Sequence, residues 1–472
     1  MATTSEVNVR TPIYPILISL GLTLACGGGA DTKAPLASDP TWSSPVDVAG
    51  PGYSAGGSFM GDGKGGVVAV WTRSTLAAGG STLQEQVAAH LVTTRTWGTP
   101  QVLEAGATGQ TLQPPVVAVD GRGQGQVLWF QGYPGGGSPV TELRTLKVDL
   151  SSATPFGVSS KAFQFPTSNH QGLQLAVGSD GSALAAWGCQ KISATGGVTY
   201  APVQVSRMSP GGVWGTPGEY FIPAGAPTQQ VLLGVAGDGL GGFLMEMASG
   251  DDVLLHAEGV AFQAVSGIAS GQAGWEPAAQ LDDPAHSTAW ATDGQGSLEA
   301  WLRYQRNLVG GTDTTLEAWP RIRSANGTWT MGDKVVLPRP ANSLAVFREA
   351  SGSGWLAGLG SQGLWVAPLN GLSLGTPKVV LPLPTTTEVM VGARDASGRP
   401  ALLWIQRGAG GVYEGIGFSR WDGAAWTAPS ILPGTAGKAI QRLCAVTGPA
   451  GLVAGWVEVG DQGLFLRAAH WM

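Results

Sequence analysis

Arginine, tyrosine and carboxylate side chains are the residues of this sequence best suited to chemistry. Arginines at 73, 303, 321, 323, 407 and 442, with Tyr304 beside Arg303, could bind a carboxylated substrate and supply a nucleophile. Such a site needs the arginines to converge and an acid to stand close by. Nothing in their spacing makes a triad, and several fall on strands that alternate apolar and polar residues, as exposed strands do. A paired-carboxylate hydrolase needs two acids at a fixed separation in a pocket. Asp251-Asp252 and Asp282-Asp283 are adjacent pairs in connecting loops, where solvation explains them. The five histidines (His90, His170, His256, His286, His470) show no metal-ligand spacing. Asp282, Asp283 and His286 are the one local cluster, read as a loop with a capping Asp. There is no Gly-x-Ser-x-Gly elbow, P-loop or dinucleotide fingerprint in a strand–helix setting. No catalytic, metal or cofactor residue is assigned from the sequence.

The elements that would position these groups recur. Each copy is an apolar strand, a Gly-rich turn, a second apolar strand ending near Trp, an alternating third strand, and a fourth opened by Trp and a nearby Pro. The turns carry Asp62-Gly63, Asp120-Gly121, Asp180-Gly181, Asp238-Gly239, Asp293-Gly294 and Asp395-Ala396. The successive spacings are 58, 60, 58 and 55 residues, then 102, which is two periods. Several strands per copy at this period predict an all-β chain folded as a single β-propeller. Counting strand sets gives eight four-stranded blades. The sixth copy is thin, with Ser351-Gly-Ser-Gly-Trp355 in place of Asp-Gly, so seven blades is the alternative.

Only seven fourth strands follow the eight sets. The missing one is expected at the other end of the chain, at Thr41–Val48, which carries the same Trp-x-x-Pro signature. The N-terminal strand is therefore predicted to close the last blade and remove its open edge. Trp71, Trp129, Trp187, Trp404 and Trp456 recur on second strands and are expected to pack between blades. A two-residue hairpin turn accounts for Asp-Gly, with no need of calcium, since a calcium loop brings several oxygens.

Composition sets the class. The 472 residues include 74 Gly and 18 Trp, with only 12% charged and 43% hydrophobic. That balance excludes disorder and suits many tight hairpins. Net charge is −6 with basic residues scattered singly, which argues against nucleic acid. Cys189 and Cys444 fall in different copies and are expected to remain unpaired.

Residues Ile13 to Ala25 form an apolar run too short to span a bilayer. It ends Leu22-Thr23-Leu24-Ala25-Cys26-Gly27, which resembles the lipobox of bacterial lipoproteins, with Thr23 in place of the usual Leu. The resemblance implies a signal peptide over 1–25, lipidation of Cys26, a Gly- and Pro-rich tether over 26–39, and the propeller over 40–472. Translation from Val9 would give the leader a more basic start. The hairpins Ser324-Ala-Asn-Gly-Thr-Trp329 and Trp421-Asp-Gly-Ala-Ala-Trp426 resemble degenerate Asp-boxes of sialidase-like propellers, which are structural. As a whole, residues 40–472 resemble the repeat-propeller lipoproteins of Gram-negative bacteria.

The function expected is that of a binding or scaffold module, lipid-anchored in the cell envelope at the outer membrane. It is expected to be a monomer, with a protein or glycan ligand, no cofactor, and no membrane contact beyond the anchor. The alternative is an envelope glycan hydrolase or lyase working at the channel mouth.

Overall fold

Among the described residues, every regular element of the computed structural model is a β-strand. The structure describes residues 41–76, 82–93, 95–133, 140–166, 169–192, 198–200, 203–220, 230–237, 242–249, 260–266, 274–275, 279–280, 287–292, 298–305, 316–324, 329–339, 341, 343–348, 353–360, 363–382, 389–408, 411–449 and 451–471. The expected signal peptide, Cys26 and the tether lie outside them, as do the Asp238, Asp251, Asp282 and Asp293 loops, His256 and His286. All described residues belong to one compact unit, Leu36–Met472.

The apolar runs ending near Trp become the second strands. They are Val67–Leu76, Gln124–Tyr133, Ala183–Ile192, Phe243–Ser249, Leu298–Gln305, Ser353–Gly360, Pro400–Arg407 and Leu452–Gly460. Each pairs antiparallel with the strand before and the strand after it. They are buried because both faces are covered: Ala401 to Gln406 are buried without a break. Trp71, Trp129, Trp187, Trp404 and Trp456 are each at most 1% exposed, which makes them packing residues.

The first strands of successive repeats lie against one another. The order is Val46–Gly61, Val116–Val119, Asn169–Val177, Gln230–Gly237, Ser287–Thr292, Ser343–Arg348, Met390–Arg394 and Ala439–Thr447, and the last of these lies against the first. First strands are therefore innermost, and fourth strands form the outer edges.

Seven sheets are formed among the described residues, and one of them joins two repeats. Its seven strands run Ala439–Thr447, Leu452–Gly460, Gly463–His470, Val46–Gly61, Val67–Leu76, Thr82–His90 and Gln101–Ala105. Val46–Gly61 serves both. Val46, Asp47 and Ala49 face Ala468, Arg467 and Leu466, while Gly56 to Gly61 face Trp71 to Val67. Register slips between Ala49 and Tyr53, and again between Tyr53 and Ala55, where the strand changes neighbour. The sequence predicts two strands here, and the chain makes one.

The join is held beyond the ladder. Trp42 bridges Trp471, Ser43 donates its N–H to the His470 carbonyl at 2.8 Å, and His470 N–H donates to Ser43 Oγ at 3.0 Å. Trp42 is 3% exposed and meets Phe418 edge-on at 5.1 Å. Four other repeats carry the same bridge at their third-to-fourth-strand hairpins: Leu91–Trp97, Val148–Phe156, Met208–Trp214 and Trp421–Trp426.

The thin sixth repeat forms a complete sheet, from Ser343–Arg348 through Ser353–Gly360 and Gly363–Asn370 to Ser373–Leu374 and Lys378–Leu381. Its core Trp has changed strands. In the seventh repeat, Trp404 on the second strand faces Gly417 on the third. In the sixth, Gly358 on the second faces Trp365 on the third. In both, the glycine makes room: a β-carbon on Gly417 would sit 2.2 Å from the Trp404 ring, and one on Gly358 would sit 2.4 Å from the Trp365 ring.

The Asp turns need a correction. Asp120 N–H donates to the Gln124 carbonyl at 2.8 Å, and Gly123 N–H to the Asp120 carbonyl at 2.9 Å. That is a three-residue loop with a left-handed fourth position, Gly123 at φ 79°. In the second and seventh repeats the residue after Asp is not under this demand, so Ala396 is tolerated where Gly398 sits at φ 79°, whereas in the first repeat Gly63, directly after Asp62, is itself at φ 72°. Asp caps the loop, its Oδ1 accepting from Arg122 and Gln124 N–H at 2.8 and 2.9 Å. Asp62 and Asp395 repeat this pattern. In the third repeat the loop opens at Gly178, and Gly181 takes the left-handed place.

Candidate functional site

The innermost strands are interrupted at one level. In the first repeat Gly57 is an extra residue between the partners of Trp71 and Val70. Arg442 of the eighth repeat lies between the partners of Val457 and Trp456. In the third repeat Gly172 and Leu173 stand opposite the single residue Trp187, and in the fourth Leu233 is extra. In the second, residues 113–115 face Trp129 and Phe130. Five consecutive repeats, eighth through fourth, thus carry a β-bulge beside the second-strand core residue. Bulges bend a strand and re-aim side chains, and they gather next to ligand sites.

The bulged residue must adopt left-handed backbone in at least three repeats. Gly57 is at φ 89° and Gly172 at φ 63°. The eighth repeat places an arginine there instead, with Arg442 at φ 52°. It is the one non-glycine residue at positive φ among the described residues. For an L-residue this conformation costs about 1–2 kcal/mol, and such strain gathers at functional positions. Both Arg442 and the preceding Gln441 are exposed.

A line of side-chain amides fixes the neighbouring bulges. Thr72 Oγ1 donates to Gln86 Oε1 at 3.1 Å, Gln86 Nε2 to the Gln113 carbonyl at 2.8 Å, and Gln113 Nε2 to the His170 carbonyl at 3.0 Å. Three repeats are thereby linked by side-chain hydrogen bonds. His170 is buried, stacked on Phe130 at 5.0 Å and against Phe165 at 4.6 Å. Burial pulls its pKa down to about 4, so it is neutral at pH 7.

This has a consequence for acid stability. The unfolded imidazole takes up a proton near pH 6.5 and the folded one only near pH 4. Stability from this group is full above pH 6.5 and falls toward pH 4, by up to about 1.4 kcal/mol per pH unit. Thermal midpoints measured from pH 7 to pH 4.5 should drop, and His170→Phe should make the decline shallower. An unchanged slope in that variant would refute the assignment.

Arg73 and Arg407, the other two of these arginines with described side chains, each hold a local partner. Arg73 pairs with Glu85 at 2.7 Å. Arg407 donates to Tyr413 Oη at 3.0 Å, with its guanidinium 4.5 Å from the ring centroid. Arg303 and Tyr304 lie on the second strand of the fifth repeat, and Arg321 and Arg323 on its third; their side chains are outside the described residues. Arg442 alone of the six stands on an innermost strand.

One polar network went unread in the sequence. Arg144 Nη2 donates to Glu104 Oε2 at 3.0 Å and to Ser159 Oγ at 2.7 Å, and Ser159 also bonds Glu104. Tyr133 Oη donates to Glu142 Oε2 at 3.0 Å, and Lys161 Nζ is 3.5 Å from Glu142 Oε1. The signal was there: alternation puts Glu142 and Arg144 on one face of Val140–Asp149. Burial, then the Glu142 contact, pushes the Tyr133 phenol up to about 12. A phenol so held stays protonated and donates, the opposite of an activated nucleophile. Because Glu104 belongs to the preceding repeat's outer strand, the network ties two repeats together.

His90 packs edge-on against Phe156 at 6.1 Å, and His470 lies 6.4 Å from Trp97. Neither Cys189 nor Cys444 is joined in a disulfide, and burial pushes the Cys444 thiol up to about 12. Among the described residues no group of three or more His, Cys, Asp or Glu gathers to hold a metal ion.

No family model and no curated protein matches the sequence. Solved structures do match. A protein of unknown function from Dyadobacter fermentans is 14% identical with a TM-score of 0.41, covering 76% of this chain and 94% of that one. Trypanosoma rangeli sialidase in complex with sialic acid is 13% identical at 0.41, covering 93% of this chain and 60% of its own. The intramolecular trans-sialidase from Ruminococcus gnavus, in complex with oseltamivir carboxylate, is 12% identical at 0.38, covering 89% and 95%. The structural neighbours are sialidase-like β-propellers. This chain thus spans three-fifths of the Trypanosoma rangeli sialidase chain it matches. An activity resides in site residues and not in a fold, so none passes to this chain from them.

Proposed function

We propose that the protein is an eight-bladed β-propeller that binds a ligand bearing an anionic group over the bulged ends of its innermost strands, and that a lipid on Cys26 holds it at the outer membrane. The cycle of first-strand neighbours and the complete sixth sheet support eight blades over seven. The strand shared by the first and eighth repeats supports closure by the N-terminal segment.

The observation that carries the binding reading is Arg442: an exposed arginine on an innermost strand, kept in left-handed backbone where two other repeats use glycine. Planar guanidinium suits a carboxylate or phosphate. A glycan array carrying sialylated, uronate-containing, phosphorylated and neutral glycans tests it. Retention of an acidic class is expected, weakened at least tenfold in Arg442→Gly. The same change relieves the left-handed strain and adds backbone freedom, so stability should stay within about 1 kcal/mol of the parent. Binding undiminished in the variant, or no acidic glycan retained, would overturn the reading. Turnover of a glycan by the purified protein would favour the hydrolase or lyase alternative.

Support for the anchor is the apolar run, the Leu-Thr-Leu-Ala-Cys junction and the Gly-rich tether that follows. Cys26→Ser should release the protein from membranes on cell fractionation. Retention of that variant, with an intact leader on the parent by mass spectrometry, would refute lipidation.

A further inference from the structure

Two tryptophans stand where most other repeats carry smaller side chains. The first is Trp355, three residues before Gly358, which occupies the core-Trp position of the sixth repeat's second strand. Three residues before the corresponding Trp, the other repeats have Val68, Gln126, Leu184, Leu298, Ala401 and Val453. The second is Trp421, at the end of the seventh repeat's third strand. The equivalent bridge residues are Leu91, Val148 and Met208 in the first three repeats and Trp471 in the eighth. No other of these repeats has an aromatic residue at the Trp355 position, and three of the four other bridges have a smaller side chain at the Trp421 position, so the fold does not require an indole at either.

The two are neighbours across adjacent repeats. Trp355 and Trp421 have ring centroids 4.5 Å apart at 45°, and both meet Trp426, at 5.7 and 6.4 Å. Trp426 is buried, while Trp355 and Trp421 keep part of their surface in solvent. Polar groups rim the pair. Asp422 is exposed, its Oδ1 held at 2.8 Å by the N–H groups of Ala424 and Ala425. Arg399 is exposed, and its Nη2 lies 3.6 Å from where a β-carbon on Gly423 would sit. This end of the strands, with the Asp turns and outer hairpins, is opposite to the end that bears the bulges.

We infer a second binding site here, for a neutral oligosaccharide, with Trp355 and Trp421 as a stacking ledge and Asp422 and Arg399 as hydroxyl partners. An apolar surface with a few fixed polar groups suits a pyranose, which offers an apolar face of C–H groups and a rim of hydroxyls. The charge and spacing choose between ligands. A cationic ligand would need rings standing apart to enclose it, whereas these rings touch and Arg399 lies next to Gly423, two residues from Trp421. A ligand dominated by anionic charge would meet Asp422.

The test uses the repeats' own residues as replacements, so that packing is preserved. Trp355→Val and Trp421→Leu copy Val68 and Leu91. The full-length parent and both variants are titrated with maltotriose, cellotriose, tri-N-acetylchitotriose and tetramethylammonium, followed by calorimetry and indole fluorescence. At least one trisaccharide should bind the parent and perturb its fluorescence. Each variant should bind it at least tenfold more weakly, with a thermal midpoint near the parent's. Arg442→Gly should bind it as the parent does, which separates this site from the bulged end. The proposal fails if no trisaccharide binds, if both variants bind undiminished, or if tetramethylammonium alone binds. Should either single variant prove unstable, Asp422→Asn, which leaves the ledge intact, must still weaken binding.

Discussion

Removing residues 41–49 is expected to give a protein that unfolds at markedly lower temperature and associates in solution. The deletion bares the outer edge of Gly463–His470, which Val46–Ala49 covers, and takes away Trp42 from its place against Phe418. Truncating one buried Trp costs about 3–5 kcal/mol, so Trp42→Ala alone should come near that range. An uncovered strand edge is also a template for pairing with a second chain. Thermal unfolding and size-exclusion chromatography read both effects. A deletion variant as stable and as monodisperse as the parent would show that the strand shared between the first and eighth repeats holds nothing together.

The second large effect is expected at the Trp–Gly cross-strand pairs. Gly417→Ala should cost about 3 kcal/mol, the upper end of overpacking penalties, because its β-carbon would fall 2.2 Å from the Trp404 ring in a closed core. In the sixth repeat, Trp365→Gly should cost about 3–5 kcal/mol by emptying a buried site. Gly358→Trp should also be severe, since two indoles cannot share one place. The double variant returns the indole to the strand that carries it elsewhere and should be more stable than either single variant. A coupling above about 2 kcal/mol in that cycle is expected; additive losses would mean that the two positions are not one packing unit.

These pairs show what the sequence carried and what it could not. Trp at 71, 129, 187, 404 and 456 marked the second strands because its volume recurs at one position. The same criterion made the sixth repeat look thin, since its Trp had moved to residue 365. A one-strand pattern cannot register an exchange that only a cross-strand view conserves. The Asp turns were legible as turns, yet which glycine bears the left-handed conformation depends on hydrogen bonds that the dipeptide does not encode.

The candidate sites were less legible than the fold. Arg442 stood in the sequence as one arginine among six. What distinguishes it is backbone conformation on an innermost strand, which nothing in its neighbours announces. Glu142 and Arg144 were readable as a same-face pair, whereas their partner Glu104 comes from the preceding repeat's outer strand. Trp355 and Trp421 are 66 residues apart and meet only because adjacent repeats pack side by side.

The strand shared by the first and eighth repeats sets the order in which the chain can finish. Ser43 and His470, hydrogen-bonded to each other, are 427 residues apart. During synthesis, Val46–Ala49 is made early and waits without its partner until the last repeat exists. Every intermediate repeat can close on its own neighbours first. The slow step is therefore expected to be the final docking of ends, a long-range event with a large loop-closure cost. Until then the half-made protein displays an unpaired β-edge, and in that interval it is most in need of a chaperone.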